Sequence, residues 1–97
     1  IPLQLHLDND ALPDDTLLEV QACDQMGLLY TVGAVIAGLG FSVVAAKVST
    51  FGERVEDTFF IRNGQGEKLR RRERRLLLAA LEQRLNDKFP SERAKVH

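Results

Sequence analysis

Asp24, Gln25, Met26, Gly27, Leu28 and Leu29 form the stretch of this sequence best equipped to hold a small ligand. A helical apolar pattern opens at Leu28, so the stretch runs onto a helix N-terminus, where unsatisfied N–H groups favour a carboxylate. Gly27 lets backbone approach a ligand closely, and Asp24 can answer an α-amino group. The same residues also make a plain strand-to-helix turn, in which Asp24 is an N-terminal charge and Gly27 a backbone necessity. Asp57 falls on the inward parity of its strand, and a buried carboxylate paired with Lys47 or Arg54 across a hairpin is the expected role there.

Other chemistry finds little footing. His6 and His97 stand near opposite ends with no helical i, i+4 partner, which leaves no metal site, and Cys23 is the only cysteine, which excludes an internal disulfide and any Cys-based zinc site. No histidine is placed by sequence to activate Cys23, so it reads as a small core residue. No catalytic residue is assigned, no cofactor is expected, and the chain itself is read as non-enzymatic. No apolar run approaches the roughly 20 residues of a membrane span, so no membrane is expected as a partner. The net charge of −1 hides an asymmetry: no Lys or Arg precedes Lys47, whereas Lys68, Arg70, Arg71, Arg72, Arg74 and Arg75 cluster late. Arginines early in a helix oppose its dipole, by about 0.3 to 1 kcal/mol each. The cluster is nevertheless read as a solvated face, and nucleic acid is not expected as a partner.

The elements that must position these groups follow from periodicity. Residues 16–22 alternate, Leu18, Val20 and Ala22 on one face, which predicts a half-buried strand. Leu28, Val32, Val35, Ile36 and Leu39 recur at helical spacing until Gly40. Residues 41–50 are rich in β-branched side chains, with a parity slip around Val44 to Ala46 that predicts a bulge. A tight turn at 51–54 leads into a strand over 55–61, and Asn63, Gly64, Gln65 and Gly66 break the chain before a second helix from Leu69 to about Asn86, whose stripe includes Leu76, Leu77, Ala80, Leu81 and Leu85. Pro2 to Leu7 also alternates and predicts an extra N-terminal strand, antiparallel beside the first core strand. The chain reads as a single domain over 1–97, with its core at about 3–88 and a polar tail at 89–97 in which no strong strand is visible. With right-handed crossovers this order gives an α+β ferredoxin-like βαββαβ plait: an antiparallel sheet, two helices on one face, and the N-terminal strand in the fourth-strand position. The other sheet face carries Leu17, Phe60 and Val44, apolar enough to expect a partner surface.

Asp24-Gln25-Met26-Gly27-Leu28-Leu29 resembles the Asp-Arg-Pro-Gly-Leu-Leu signature of ACT domains, with Gln25 and Met26 where Arg and Pro are typical. The resemblance continues through Gly38 to Phe41, Ala46 to Thr50 and Gly52 to Ile61, and the Leu5 to Asp10 stretch is similar to the entry segment of the ACT domains of the bacterial PII uridylyltransferase/uridylyl-removing enzyme. Plant ACT-repeat proteins are similar over the same region. The resemblance implies an amino-acid effector, glutamine favoured, bound at Asp24 to Leu29. It implies pairing with another ACT domain, as a homodimer, through the edge strand Ser42, Val43, Val44, Ala45 and Ala46, and control of an attached or docked nitrogen-metabolism enzyme. It also implies a cytoplasmic location, or alternatively the plastid stroma. The alternative function is a ligandless protein-protein interaction module using the same edge.

Overall fold

The computed structural model describes residues 3–23, 27–90 and 95–96. The elements run β1 (Gln4–Asp8), β2 (Thr16–Cys23), α1 (Leu28–Gly38), β3 (Ser42–Phe51), β4 (Arg54–Arg62), α2 (Arg71–Lys88) and β5 (Lys95–Val96). Alternation in the sequence decides which face of each strand is covered. Thr16, Leu18, Val20 and Ala22 of β2, and Val55, Asp57, Phe59 and Ile61 of β4, are buried, while the residues between them are half-buried. Leu28, Val32 and Ile36 of α1 and Leu77, Leu81 and Leu85 of α2 complete this core. Each buried Val, Leu, Ile or Phe side chain contributes about 1.5 to 3 kcal/mol by leaving water.

The sheet order is β3-β4-β2-β1-β5. β1 lies antiparallel to β2, Leu5 opposite Val20, and so fills the fourth-strand position of an α+β ferredoxin-like plait, as its alternation predicted. The tail is not wholly without structure: β5 adds two residues parallel to β1, Gln4 opposite Lys95 and Leu5 opposite Val96. The bulge falls where the parity slips, since Val43 opposes Ile61 and Ala45 opposes Phe60, leaving Val44 as the extra residue. Ala45, across from Phe60, is thus the β3 residue paired with it, and Val44, expected on the same sheet face as Phe60, has no cross-strand partner of its own.

The turns explain the boundaries. α1 stops because Gly40 adopts φ 83, which lets Phe41 N–H reach the Ile36 carbonyl and Gly40 N–H the Ala37 carbonyl, a Schellman closure that also drops Phe41 into the core. The β3–β4 hairpin turns on two residues, with Gly52 at φ 64 in the first central place. α2 begins at Arg71 rather than Leu69: Leu69 is buried ahead of it, and Arg70, in extended backbone, is the N-cap. Leu76, expected on the apolar stripe, is 51% exposed, because the face that meets the sheet runs through Leu77, Leu81 and Leu85.

One end of the sheet is fastened by buried polar groups. The Thr16 hydroxyl donates to Asn9 Oδ1 and accepts from Leu69 N–H at 2.9 Å, while Asn9 Nδ2 donates to the Leu69 carbonyl at 3.1 Å. Asn63 Nδ2 donates to the Lys68 carbonyl and to Glu73 Oε1, which also accepts from Arg70 N–H at 2.8 Å. The Arg70 N–H bond is the main cause that holds the Glu73 carboxyl below its ordinary 4.5, with the Asn63 amide and the Arg70 charge acting in the same direction and partial burial opposing them. A lowered folded-state value means that this stabilisation is complete above the unfolded value and is lost as pH falls through the folded one. Glu73→Gln is therefore expected to lower the thermal midpoint at pH 7 and to narrow its gap to the unaltered chain at pH 3, as read by circular dichroism; a gap independent of pH would contradict it.

Candidate functional site

β2 delivers the chain to the stretch expected to hold a ligand. It ends at Cys23, opposite Arg54, and Arg54 in turn opposes Phe51 of β3, so the loop leaves from the same end of the sheet as the β3–β4 hairpin. Asp24, Gln25 and Met26 lie outside the described residues. Beyond them Gly27 adopts φ 82, a left-handed conformation open to glycine at no steric cost. Leu28 is buried and fixes the start of α1 against the core, while Leu29 faces outward. The Gly27 carbonyl accepts both the Thr31 N–H at 2.9 Å and the Thr31 hydroxyl at 2.8 Å, which pins the first turn. No acidic residue lies in that turn, and among the described residues no side chain caps it, so its N–H groups present an electropositive end.

Sequence reasoning missed Lys88. A Cβ at Gly27 would stand 3.8 Å from its Nζ, so the end of α2 brings an ammonium beside the start of α1. The signal was topological: antiparallel helices of a plait put the C-terminus of the second beside the N-terminus of the first. A helix start of this kind with an adjacent ammonium suits a carboxylate.

Ser42, Val43, Val44, Ala45 and Ala46 are all exposed, and so is most of the rest of β3. β3 ends the strand order, so one row of its N–H and C=O groups has no partner strand among the described residues. Val44 is 51% and Val48 53% exposed, and Phe51 at the hairpin is also exposed. A ten-residue exposed edge with Val43, Val44, Val48 and Phe51 on it, interrupted by Lys47, offers a template for another strand.

The other singled-out residues are elsewhere. Asp57 is buried on the helix side of the sheet, but Lys47 and Arg54 are on the opposite parity, Lys47 facing Thr58 and Arg54 bonding Glu56 at 2.8 Å. The pairing expected across the hairpin is therefore ruled out by the pleat. Arg71, Arg72 and Arg75 are exposed, while Arg74 donates to the Leu69 carbonyl at 2.7 Å. Among the described residues no three His, Cys, Asp or Glu side chains gather as a metal site, and no helix is long and apolar enough to cross a membrane.

No family model matches the chain. It is 43% identical over 76 residues to the bifunctional uridylyltransferase/uridylyl-removing enzyme of Vibrio cholerae, which covers 78% of the chain and 9% of the relative. To the enzyme of the same name from Azotobacter vinelandii it is 42% identical over 82 residues, 82% of the chain and 9% of the relative. The enzyme of that name from Thiobacillus denitrificans gives 43% over 68 residues, 70% of the chain and 8% of the relative. The chain is a relative of a C-terminal domain of these enzymes. It spans about 9% of their length. The ferredoxin-like plait is consistent with an ACT-type domain.

Proposed function

We propose that this chain is a regulatory ACT domain that senses an amino acid, glutamine by resemblance, pairs with another ACT copy through β3, and controls an attached or docked nitrogen-metabolism enzyme in the cytoplasm. The observation that supports this reading is a β3 edge with no partner strand among the described residues, whose hairpin end lies at the same end of the sheet as the start of α1. In this reading Asp24 meets the α-amino group, and the backbone at Gly27 and Leu28 meets the carboxylate with Lys88 beside it. Occupancy has an effect only because the amino acid binds one pairing state better than the other; equal affinity would shift nothing.

The test is a thermal-shift screen against all proteinogenic amino acids at millimolar concentration, followed by size-exclusion chromatography of any hit. An amino acid at about 100 times its dissociation constant adds roughly 2.7 kcal/mol, which moves the midpoint of a domain this size by several degrees. Asp24→Ala is expected to abolish the shift while leaving the unliganded midpoint in place. A flat panel from a well-folded dimer would instead favour the ligandless interaction module, the reading to which Gln25 and Met26 point.

A further inference from the structure

α1 has the sequence LLYTVGAVIAG, eleven residues without one charge. A helix apolar all round belongs in an interior, yet here only Leu28, Thr31, Val32 and Ile36 are buried. Tyr30 is 78% exposed, and Ala34 and Gly38, one and two turns further along the same side, are exposed too. This side borders α2, where two depressions open between the helices. One, of about 170 Å³, is formed by Tyr30, Thr31, Ala34, Val35, Arg84 and Lys88. The other, of about 300 Å³, has Val35, Gly38, Leu39 and Ala80 for its apolar part, with Gln83, Arg84 and Asp87 around it.

We infer that the groove between α1 and α2 is a docking surface for an amphipathic helix of another polypeptide, apolar on one face and acidic along its flank. The spacing specifies a helix: the depressions follow each other by about one turn, roughly 5.4 Å, as side chains at i and i+4 do. Small residues at Ala34, Gly38 and Ala80 let a backbone approach, and a strand would find no open sheet edge here to pair with. The charge specifies the flank: Arg84 borders both depressions and Lys88 one, against the single carboxylate of Asp87. An anionic membrane surface fits less well, because Glu82 and Asp87 interrupt the cationic side of α2. Docking on the helix layer leaves the β3 edge free, and gives a regulatory domain a surface toward what it regulates.

The probe is a display library of helical peptides with leucines at i and i+4 and randomised flanks, selected on the full chain without added amino acid. The retained peptides are expected to carry Glu or Asp flanks and to shift the amide resonances of Tyr30, Ala34, Val35, Gly38, Ala80 and Arg84. Ala34→Glu should weaken them about tenfold or more, since a carboxylate is then placed in the contact, and Arg84→Glu should reverse the preference from acidic to basic flanks. Both positions face solvent, so unchanged circular dichroism verifies the fold. No retained peptide, shifts confined to β3 or to the Arg71 to Arg75 face, or a preference for Lys flanks in the unaltered chain would overturn the inference. Failure of the amino-acid screen leaves this result unaffected, because no effector is present during selection.

Discussion

With Val44→Lys and Val48→Lys together, the chain is expected to sediment as a single copy at concentrations where the unaltered chain is paired, with the apparent dissociation constant raised about a hundredfold or more. Both side chains are more than half exposed, so the folded monomer loses little, within about 0.5 kcal/mol for each exposed site. Pairing is affected far more. Antiparallel association of two β3 edges would set four new ammonium groups along one short seam, and like charges brought together at an interface cost several kcal/mol. Edge lysines are also a natural device against strand addition. Sedimentation equilibrium and a thermal melt together decide the matter: loss of the pair with an unchanged monomer fold supports β3 as the pairing edge. A variant that stays paired places the interface elsewhere, and an unaltered chain that is single at all concentrations removes the pairing reading.

The strands and α1 were legible because their signals are local. Alternation over residues 16–22 and 55–61 maps directly onto buried and half-buried faces, and the parity slip around Val44 to Ala46 contains the bulge at Val44. The N-terminal strand was legible for the same reason, whereas β5 is two residues long and carries no periodicity. The start of α2 was misread because Leu69 is apolar and correctly spaced, yet it is buried by the Thr16 and Asn9 contacts, which come from the far end of the sequence. Lys88 beside Gly27 was hidden likewise: nothing in its own segment marks Lys88, and only the antiparallel helices bring the two together. The Asp57 pairing failed on a simpler point, since cross-strand neighbours interact only when they share a face, and Lys47 and Arg54 do not share that of Asp57. Asn63 was read only as a chain breaker, and its larger role belongs to tertiary structure.

Asn63→Ala is expected to lower the thermal midpoint by about 10 to 25 °C, corresponding to roughly 2 to 5 kcal/mol in a domain of this size. The side chain is 2% exposed, and its hydrogen bonds go to its own loop and to the first turn of α2. Its Oδ1 accepts from Gln65 N–H at 2.9 Å and Glu67 N–H at 3.0 Å, and its Nδ2 donates to the Lys68 carbonyl and the Glu73 carboxylate. Alanine removes all four bonds at once, and backbone groups cut off from water lose partners that solvent cannot easily replace. Asn63→Asp separates the two halves of this role. A carboxylate keeps the two acceptor bonds but sets negative charge where Nδ2 now stands 3.1 Å from Glu73 Oε1. Like charges at that distance raise the folded-state value of the pair, so the penalty is fully present at neutral pH and is relieved as pH falls through that value and one proton is shared. The expected melt series therefore shows Asn63→Asp destabilised at pH 7 and partly recovered near pH 4, while Asn63→Ala shows no comparable recovery. Equal midpoints for the two variants at every pH would mean that the Asn63 amide does not bridge to Glu73, and that α2 is anchored by Leu69 and its packing alone.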